Sequence, residues 1–275
     1  MQARKGSVCD DMKQASRWFL CCTLAAALAL TGCGGGNSGS SSGTMSGSTS
    51  AGSSAAQGAA WRTGLGVLTE ANGTDRAGNI HTVAAAVLLD ADGKPTDADL
   101  LSGCTIAVDR YRDAIVRACE NAQVLGAARG DTVKLGVEVA EMPQGLVGTD
   151  DKDAQVQAKI TLAVVTMDEN ARVTSAIGDM TEPELTVSAD GTVSAPREPV
   201  YTKNELGDRY GMRSASALGK EWYEHSAGWC SYLKGKNAVE IGKLSTDGTD
   251  ADLKALCTIS VTDLQKAVLK AMAEQ

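Results

Sequence analysis

Hydrophobic and polar positions follow three successive patterns along this chain. Residues 18–30 form a nearly unbroken apolar run, and residues 34–58 are almost wholly glycine, serine, alanine and threonine. The last 215 residues, from Trp61 onward, mix apolar and polar segments. This order predicts an apolar leader, a flexible tether with nothing to bury, and a folded part large enough for a sizeable core.

Periodicity within the folded part predicts both strands and helices. Apolar segments that end at polar turn residues are typical of strands, and they lie at residues 82–89, 135–140, 158–167 and 184–188. Ala189-Asp190-Gly191 predicts a hairpin turn. Helical spacing predicts two helices, capped by Asp109 and Thr262; their apolar positions are Tyr111, Ala114, Ile115 and Ala118, then Leu264, Ala267, Val268 and Ala271. The predicted class is α+β, with mainly antiparallel sheet.

Several short matches occur twice in the same order. The letters TDADL stand at residues 96–100 and 249–253, and Cys-Thr-Ile follows each copy at residues 104–106 and 257–259. Leu-Gly-Val occurs at residues 65–67 and again at residues 135–137. Such an ordered series predicts two related modules with a helix after each TDADL copy. The modules cover residues 61–128 and residues 129–275, and the second contains a helical insertion at about residues 174–248.

The N-terminal segment carries the pattern of an export signal. Lys13 and Arg17 precede the apolar run, which is too short to span a bilayer, and Leu30-Thr31-Gly32-Cys33 follows it. This arrangement resembles the bacterial lipoprotein signal. The resemblance implies that residues 1–32 are removed, that Cys33 is lipidated, and that residues 33–60 tether an extracytoplasmic domain to the cell membrane. Because Asp10 and Asp11 do not suit a signal peptide, a start at Met12 is an open alternative.

Composition excludes some functions and leaves others open. The chain has 26 basic and 34 acidic side chains and no basic cluster, which argues against a nucleic-acid partner. Its two histidines show no metal-ligand spacing, and His225 is expected to be a surface or capping residue. Four cysteines of the folded part could form two disulfides or remain small buried thiols: Cys104, Cys119, Cys230 and Cys257.

One seven-residue motif suggests cofactor chemistry. Asp99-Leu-Leu-Ser102-Gly103-Cys104-Thr105 resembles the attachment motif of FMN-binding domains, D-x-x-[ST]-G-A-[ST]. The resemblance implies that the Thr105 hydroxyl is esterified to FMN and that Asp99 orients the turn, with Ser102 and Gly103 completing the site. Cys104 departs from the usual alanine. The second copy, Asp252 to Thr258, keeps the aspartate and threonine but lacks the serine and glycine, so Thr258 is interpreted as a structural relic. A strand end leading into a capped helix is the alternative.

Aromatic residues concentrate in the segment between residues 210 and 232. Tyr210, Trp222 and Trp229 are candidates for stacking on a flat ligand, and the alternative is a helix that supplies bulk to the core. Residues 205–236 also resemble a segment of uncharacterised lipoproteins from Gram-positive anaerobes. Signatures of hydrolases and nucleotide-binding loops are missing, so no self-contained catalytic activity is expected.

These patterns together suggest a location and two alternative functions. The first is a membrane-anchored lipoprotein with FMN-binding-like modules that carries flavin in extracytoplasmic electron transfer, with a redox partner. The second is a non-enzymatic surface lipoprotein with degenerate flavin sites that binds a small ligand or another protein.

Overall fold

We describe the protein from a computed structural model. It describes residues 60–90, 92–93, 109–140, 153–246 and 250–273. All described residues belong to one compact unit, Ala59–Gln275.

Eight strands in the described part of the chain form three antiparallel sheets. The first sheet is the hairpin of β1 (Arg62–Thr74) and β2 (Ala77–Leu89). The main sheet has the order β3-β5-β6, with bounds Thr132–Ala140, Lys159–Met167 and Val173–Thr181. The third sheet has the order β4-β7-β8, with bounds Ala154–Gln157, Glu184–Val187 and Val193–Ser194. The predicted antiparallel sheet is therefore confirmed.

Six α-helices lie among the described residues. They are α1 (Asp109–Glu120), α2 (Lys203–Leu206), α3 (Trp222–Tyr232), α4 (Ala238–Gly242), α5 (Ala251–Leu256) and α6 (Thr262–Met272). A turn of 3-10 helix, Gly207–Tyr210, follows α2 directly. Strands and helices together make the mixed α+β fold that the periodicity predicts.

The β1–β2 hairpin packs face to face against the main sheet. Side chains alternate between the two faces of a strand, so β1 turns Leu65 and Val67 inward while β5 contributes every second residue. These residues form one buried cluster with Ile160, Leu162 and Val164. Between the same two sheets, the buried hydroxyls of Thr63 in β1 and Ser175 in β6 are 2.7 Å apart, so a polar contact also joins the sheets.

Helices cover the outer faces of both sheets. On the hairpin, α1 buries Ala114 and Ala118, and the second of these packs with Val87 and Leu89. On the main sheet, α3 and α6 bury the opposite face of β5 in the largest core cluster, which includes Ala163, Val165, Trp229 and Ala267. The order of layers is therefore helix, sheet, sheet, helix. We call the hairpin with α1 the first layer pair, and the main sheet with α3 and α6 the second layer pair.

A glycine permits a close helix–strand approach in each layer pair. A Cβ atom at Gly66 would overlap the carbonyl oxygen of Ala114 and crowd the backbone nitrogen of Ala118. A Cβ atom at Gly136 would meet the carbonyl oxygen of Ala267 and the backbone nitrogen of Ala271 in the same way. Glycine is required at both positions because the obstructing atoms belong to helix backbone, which cannot rotate away as a side chain can.

Most predicted elements agree with the structure. The four predicted strands fall within or almost within β2, β3, β5 and β7, and the hairpin turn at residues 189–191 joins Val187 to its partner Val193. One predicted helix cap differs from expectation. Thr262 is the first residue of α6 and makes no side-chain cap, whereas Asp250 caps α5 by accepting from the N–H groups of Asp252 and Leu253 at 3.0 Å.

The segment predicted as a helical insertion is more varied. Its first residues belong to β6, which pairs with β5 along its whole length, and β7 and β8 follow. The helical interpretation therefore applies only to the later part of the segment, where α2, α3 and α4 lie, and β6 was not predicted as a strand. The reason is that β6 is covered on both faces, so it lacks the apolar–polar alternation that reveals a half-buried strand.

Candidate functional site

A small polar cavity lies between the two layer pairs. Its volume is about 160 Å³, and one wall is apolar, formed by Leu65, Val67 and Ile177. The other lining residues are polar: Asn121, Gln123, Asp179, Thr202, Asn204 and Glu205. These residues come from β1, from the end of α1, from β6 and from the start of α2. The cavity therefore exists only where the layers meet.

The start of α2 is held by reciprocal capping. Thr202 Oγ1 accepts from the N–H of Glu205 at 3.1 Å, and Glu205 Oε2 accepts from the N–H of Thr202 at 2.9 Å. Arg117 of α1 crosses from the first layer pair and donates to Glu205 Oε1 at 2.7 Å and to the carbonyl of Val67 at 3.2 Å. The Arg117 guanidinium thus neutralises Glu205 and fixes one side of the cavity.

Asp179 is a buried carboxyl with an unusual environment. It is 5% exposed, and its Oδ1 accepts from the N–H groups of Met180 and Asn204 at 2.8 and 3.0 Å. No lysine, arginine or histidine in the described part of the chain forms an ion pair with it. Burial raises the pKa of Asp179 to about 7, and the nearby Glu205 acts in the same direction, although hydrogen bonds from Thr202, Asn204 and Met180 oppose the shift.

Stability is expected to depend on the protonation of Asp179. The ordinary pKa of an aspartate is 3.8, so between about pH 4 and pH 7 the folded protein retains a proton that the unfolded chain loses. Stability therefore falls as the pH rises through this window. Asp179→Asn should remove this fall and raise the free energy of unfolding at pH 8 by about 2 kcal/mol. Urea unfolding of both proteins from pH 5 to pH 8 measures the difference.

A matched control for this experiment is Glu198→Gln. Glu198 is exposed, so its neutralisation removes one carboxylate without changing the cavity. Its pH profile of stability should run parallel to that of the wild-type chain. If Asp179→Asn also gives a parallel profile, Asp179 does not titrate differently in the folded and unfolded states and the prediction is wrong.

The second copy of the motif runs through α5 and ends in the connection between α5 and α6. Thr258 is exposed there, and it borders a cavity of about 320 Å³ that Lys254, Cys257 and Ser260 also line. Cys257 ends α5 with extended backbone, at a φ of −149°. Leu256, at the position that corresponds to Gly103, is the last residue of α5 and has no positive φ, so glycine is not required there.

The buried side chain of His225 is hydrogen-bonded to this connection. It is 0% exposed, and its Nδ1 accepts from the N–H of Thr258 at 3.2 Å, so the proton must be on Nε2, which donates to Ser216 Oγ at 2.8 Å. Burial lowers the pKa of His225, and the charge of Lys220 lowers it further. The prediction that His225 lies at the surface is wrong. Its buried ring accepts a hydrogen bond from Thr258 and donates one to Ser216, so both ring nitrogens have partners although neither is in water.

The aromatic candidates are distributed between core and surface. Trp229 is 0% exposed and Trp222 is 4% exposed, and both side chains extend from α3 into the largest core cluster. These two residues match the alternative of core bulk, so the prediction that they stack on a ligand is wrong. Tyr210 is 36% exposed, and the ammonium of Lys203 lies 4.8 Å from its ring centroid. The three aromatic side chains therefore do not line one open cavity.

The flavin motif and the lipidation residue lie outside the described residues. This applies to Asp99, Ser102, Gly103 and Thr105, to Cys104 beside them, and to Cys33. Among described cysteines, Cys230 and Cys257 have free thiols, as expected for buried small residues. Burial raises the pKa of Cys230 to about 12 and that of Cys257 above its ordinary value, so both thiols remain protonated.

Sequence reasoning missed the cavity at Asp179. The available signal was Asp179 itself, which is flanked by Gly178 and Met180 and is the one charged residue of β6. Such a residue is expensive to bury unless it is hydrogen-bonded. Apart from the adjacent Met180, its partners come from a segment more than twenty residues away, and no local pattern indicates them.

Comparisons with known proteins reach only part of the chain. No model of a known protein family matches the sequence, and no solved structure shows significant similarity. The chain is 34% identical over 76 residues to a protein named chlorophenol reductase from Desulfitobacterium hafniense. That match covers 26% of this chain and 23% of the relative, so the chain spans about a quarter of the length of the curated relative that it matches.

The described residues contain no membrane-spanning helix and no cluster of metal ligands. Their helices include none that is both long enough and apolar enough to cross a membrane. Within the same ranges, no group of three or more histidine, cysteine, aspartate or glutamate side chains is arranged to hold a metal ion.

Proposed function

We propose that this protein is a membrane-anchored extracytoplasmic lipoprotein with two FMN-binding-like modules, and that it carries FMN in electron transfer. In this proposal the lipid on Cys33 provides the membrane attachment and residues 33–60 provide the tether. The support for the flavin is the motif from Asp99 to Thr105. The relative is by name a reductase, which agrees with a redox role.

The matched glycine contacts are the observation that carries the two-module proposal. In the first layer pair Gly66 meets Ala114 and Ala118, and in the second Gly136 meets Ala267 and Ala271, with the same backbone atoms in contact. Both glycines come from the repeated Leu-Gly-Val, and each first alanine follows the motif threonine by nine residues. Two unrelated segments would have no reason to share sequence, spacing and contact, so common descent of the modules is supported.

The second motif copy gives a test of whether a flavin could fit. The proposal takes Thr258 as the counterpart of Thr105, and the Thr258 residue is exposed beside a cavity. A hydroxyl in such a position can be reached for esterification by a phosphate. At Thr105 the ester would hold FMN, and FMN would supply the redox chemistry when bound. The chain's own contribution is to fix the attachment point just before α1, which begins at Asp109.

A second candidate function rests on a different observation. The cavity at Asp179 has both an apolar wall and a buried acidic group, which are features of a small-molecule binding site. A ligand-binding surface lipoprotein without flavin would use this cavity, and its motif residues would serve only to connect a strand to a capped helix.

Thr105→Ala is expected to abolish flavin attachment completely. The full chain should be produced in a bacterium that exports it and that contains a flavin transferase. Intact mass spectrometry of the wild-type protein should show one esterified FMN, and the protein should be yellow. Thr105→Ala should be colourless and carry no addition, because no other hydroxyl takes the place of the ester oxygen.

Thr258→Ala is the matched control, because it removes the counterpart threonine from the motif copy that lacks serine and glycine. It should retain the full FMN addition. A wild-type protein without flavin, or a Thr105→Ala protein that still carries it, would refute the flavin proposal. The first of these results would leave the ligand-binding candidate.

A further inference from the structure

The cavity between the two layer pairs has a distinct chemical polarity. Leu65, Val67 and Ile177 form one side, and they belong to or pack against the core cluster between the sheets. Asp179 and Asn204 lie among its polar lining. A ligand that fills this space must therefore have a short apolar part and a polar end. Its size is limited, since a cavity of about 150 Å³ in another protein holds one benzene molecule.

One hydrogen-bond acceptor on the polar side of the cavity has no donor among the described residues. Asn204 Nδ2 donates to the carbonyl of Gly178 at 2.9 Å, and this bond fixes the orientation of its amide. Asn204 Oδ1 is buried and has no hydrogen-bond partner. A buried acceptor without a partner is costly, and in native proteins it usually indicates a missing water, ion or ligand. The polar end of the ligand is therefore expected to be a hydrogen-bond donor.

Charge favours a cationic donor. Asp179 receives only uncharged donors, and no cation of the described residues pairs with it. The guanidinium of Arg117 is engaged by Glu205 of the cavity lining and by the carbonyl of Val67. Burial of an unpaired carboxylate is unfavourable, and an ammonium group placed beside it would remove much of this cost. An anionic ligand would face the unpaired Asp179 carboxyl and is disfavoured by its charge.

We propose that this cavity binds a short alkylammonium ion, with its ammonium against Asp179 and Asn204 Oδ1 and its alkyl chain against Leu65, Val67 and Ile177. A metal ion is a poorer occupant, because the described residues offer no group of three or more suitable ligands and one wall is hydrocarbon. The inference does not depend on the flavin proposal, and it places the ligand at a site remote in sequence from Thr105.

Calorimetric titration of the full chain with n-butylammonium chloride at pH 8 tests this site. The wild-type chain should bind it in a saturable manner and at least tenfold more tightly than n-butanol, which has the same length but no charge. Asp179→Asn should weaken n-butylammonium binding at least tenfold, because the amide keeps the shape and removes the charge. Glu198→Gln removes an exposed carboxylate and should bind as the wild type does.

A series of ligand lengths tests the cavity independently of any variant. Methylammonium should bind more weakly than n-butylammonium because it leaves the apolar wall uncovered, and n-octylammonium should bind more weakly because it exceeds the space. Equal affinity across the series would overturn the proposal. So would equal binding by Asp179→Asn, equal binding of n-butanol, or absence of saturable binding by the wild type.

Discussion

Substitution of Gly66 or Gly136 by alanine is expected to lower the free energy of unfolding by about 3–5 kcal/mol, and the more severe of the two variants is expected not to fold at 37 °C. The added methyl group would occupy the position of the Ala114 or Ala267 carbonyl oxygen. Relief requires the whole of α1 or α6 to move away from its strand. Such a movement would open contacts along the helix, since core packing tolerates little added volume.

Urea unfolding followed by circular dichroism measures both losses. Gly242→Ala is the matched control, because a Cβ atom there would make ordinary contact with Leu269 at 3.9 Å. That variant should unfold within about 0.5 kcal/mol of the wild type or be slightly more stable, since alanine is the better helix former. If Gly66→Ala is as mild as Gly242→Ala, the close approach of α1 is wrong. The same comparison at Gly136 tests the approach of α6.

Trp229→Ala is expected to destabilise the fold by about 3–5 kcal/mol. Trp229 is fully buried between α3 and the main sheet, so its removal leaves a large cavity in the main cluster. Trp229→Phe should cost much less. The indole Nε1 is buried without a hydrogen-bond partner among the described residues, and phenylalanine keeps most of the ring while removing that unpaired donor.

Tyr210→Ala provides the contrast at the surface. This residue is more than a third exposed, and its described ring contact is with the Lys203 ammonium, so its loss should change stability by about 1 kcal/mol or less. Thermal and urea unfolding of the three variants separate the two interpretations of the aromatic segment. A Trp229→Ala protein as stable as the wild type would contradict the core role and restore the stacking hypothesis.

Local sequence patterns were sufficient to predict the helices that bury one face and the strands that have a regular composition. The helices α1 and α6 each bury one face, and their alanines recur at helical spacing, so periodicity predicted both of them. β2, β3 and β5 are rich in β-branched residues and were also predicted. The strand β6 was not, because its two faces are covered by different layers and its composition of small and polar residues has no clear period.

The cap of α6 was misplaced for a related reason. Thr262 and Gln265 have the spacing of a capping box, but the Gln265 side chain donates instead to the carbonyls of Ile241 and Leu244. Those acceptors belong to α4 and the turn after it. A tertiary contact therefore overrides a favourable local pairing, as it can whenever the competing bonds are comparable in strength.

The aromatic segment shows the same limit for function. Its composition agreed equally with a stacking platform and with a core helix, because both need large rings on one side of a helix. Only the positions of β5 and α6 against α3 decided between them. The first motif copy raises no such conflict, since its residues lie outside the described part of the chain.

The sequence by itself determined the α+β class and the two helices α1 and α6, and it predicts the export signal before Cys33 and the two related modules. These depend on the spacing of neighbouring residues, which is encoded locally. Only the tertiary structure decided which polar groups are removed from water. The pKa of Asp179 is raised by burial beneath β1 and α2, and its cavity combines residues from Leu65 to Glu205. Desolvation depends on everything that surrounds a group, so it arises only when distant segments pack together.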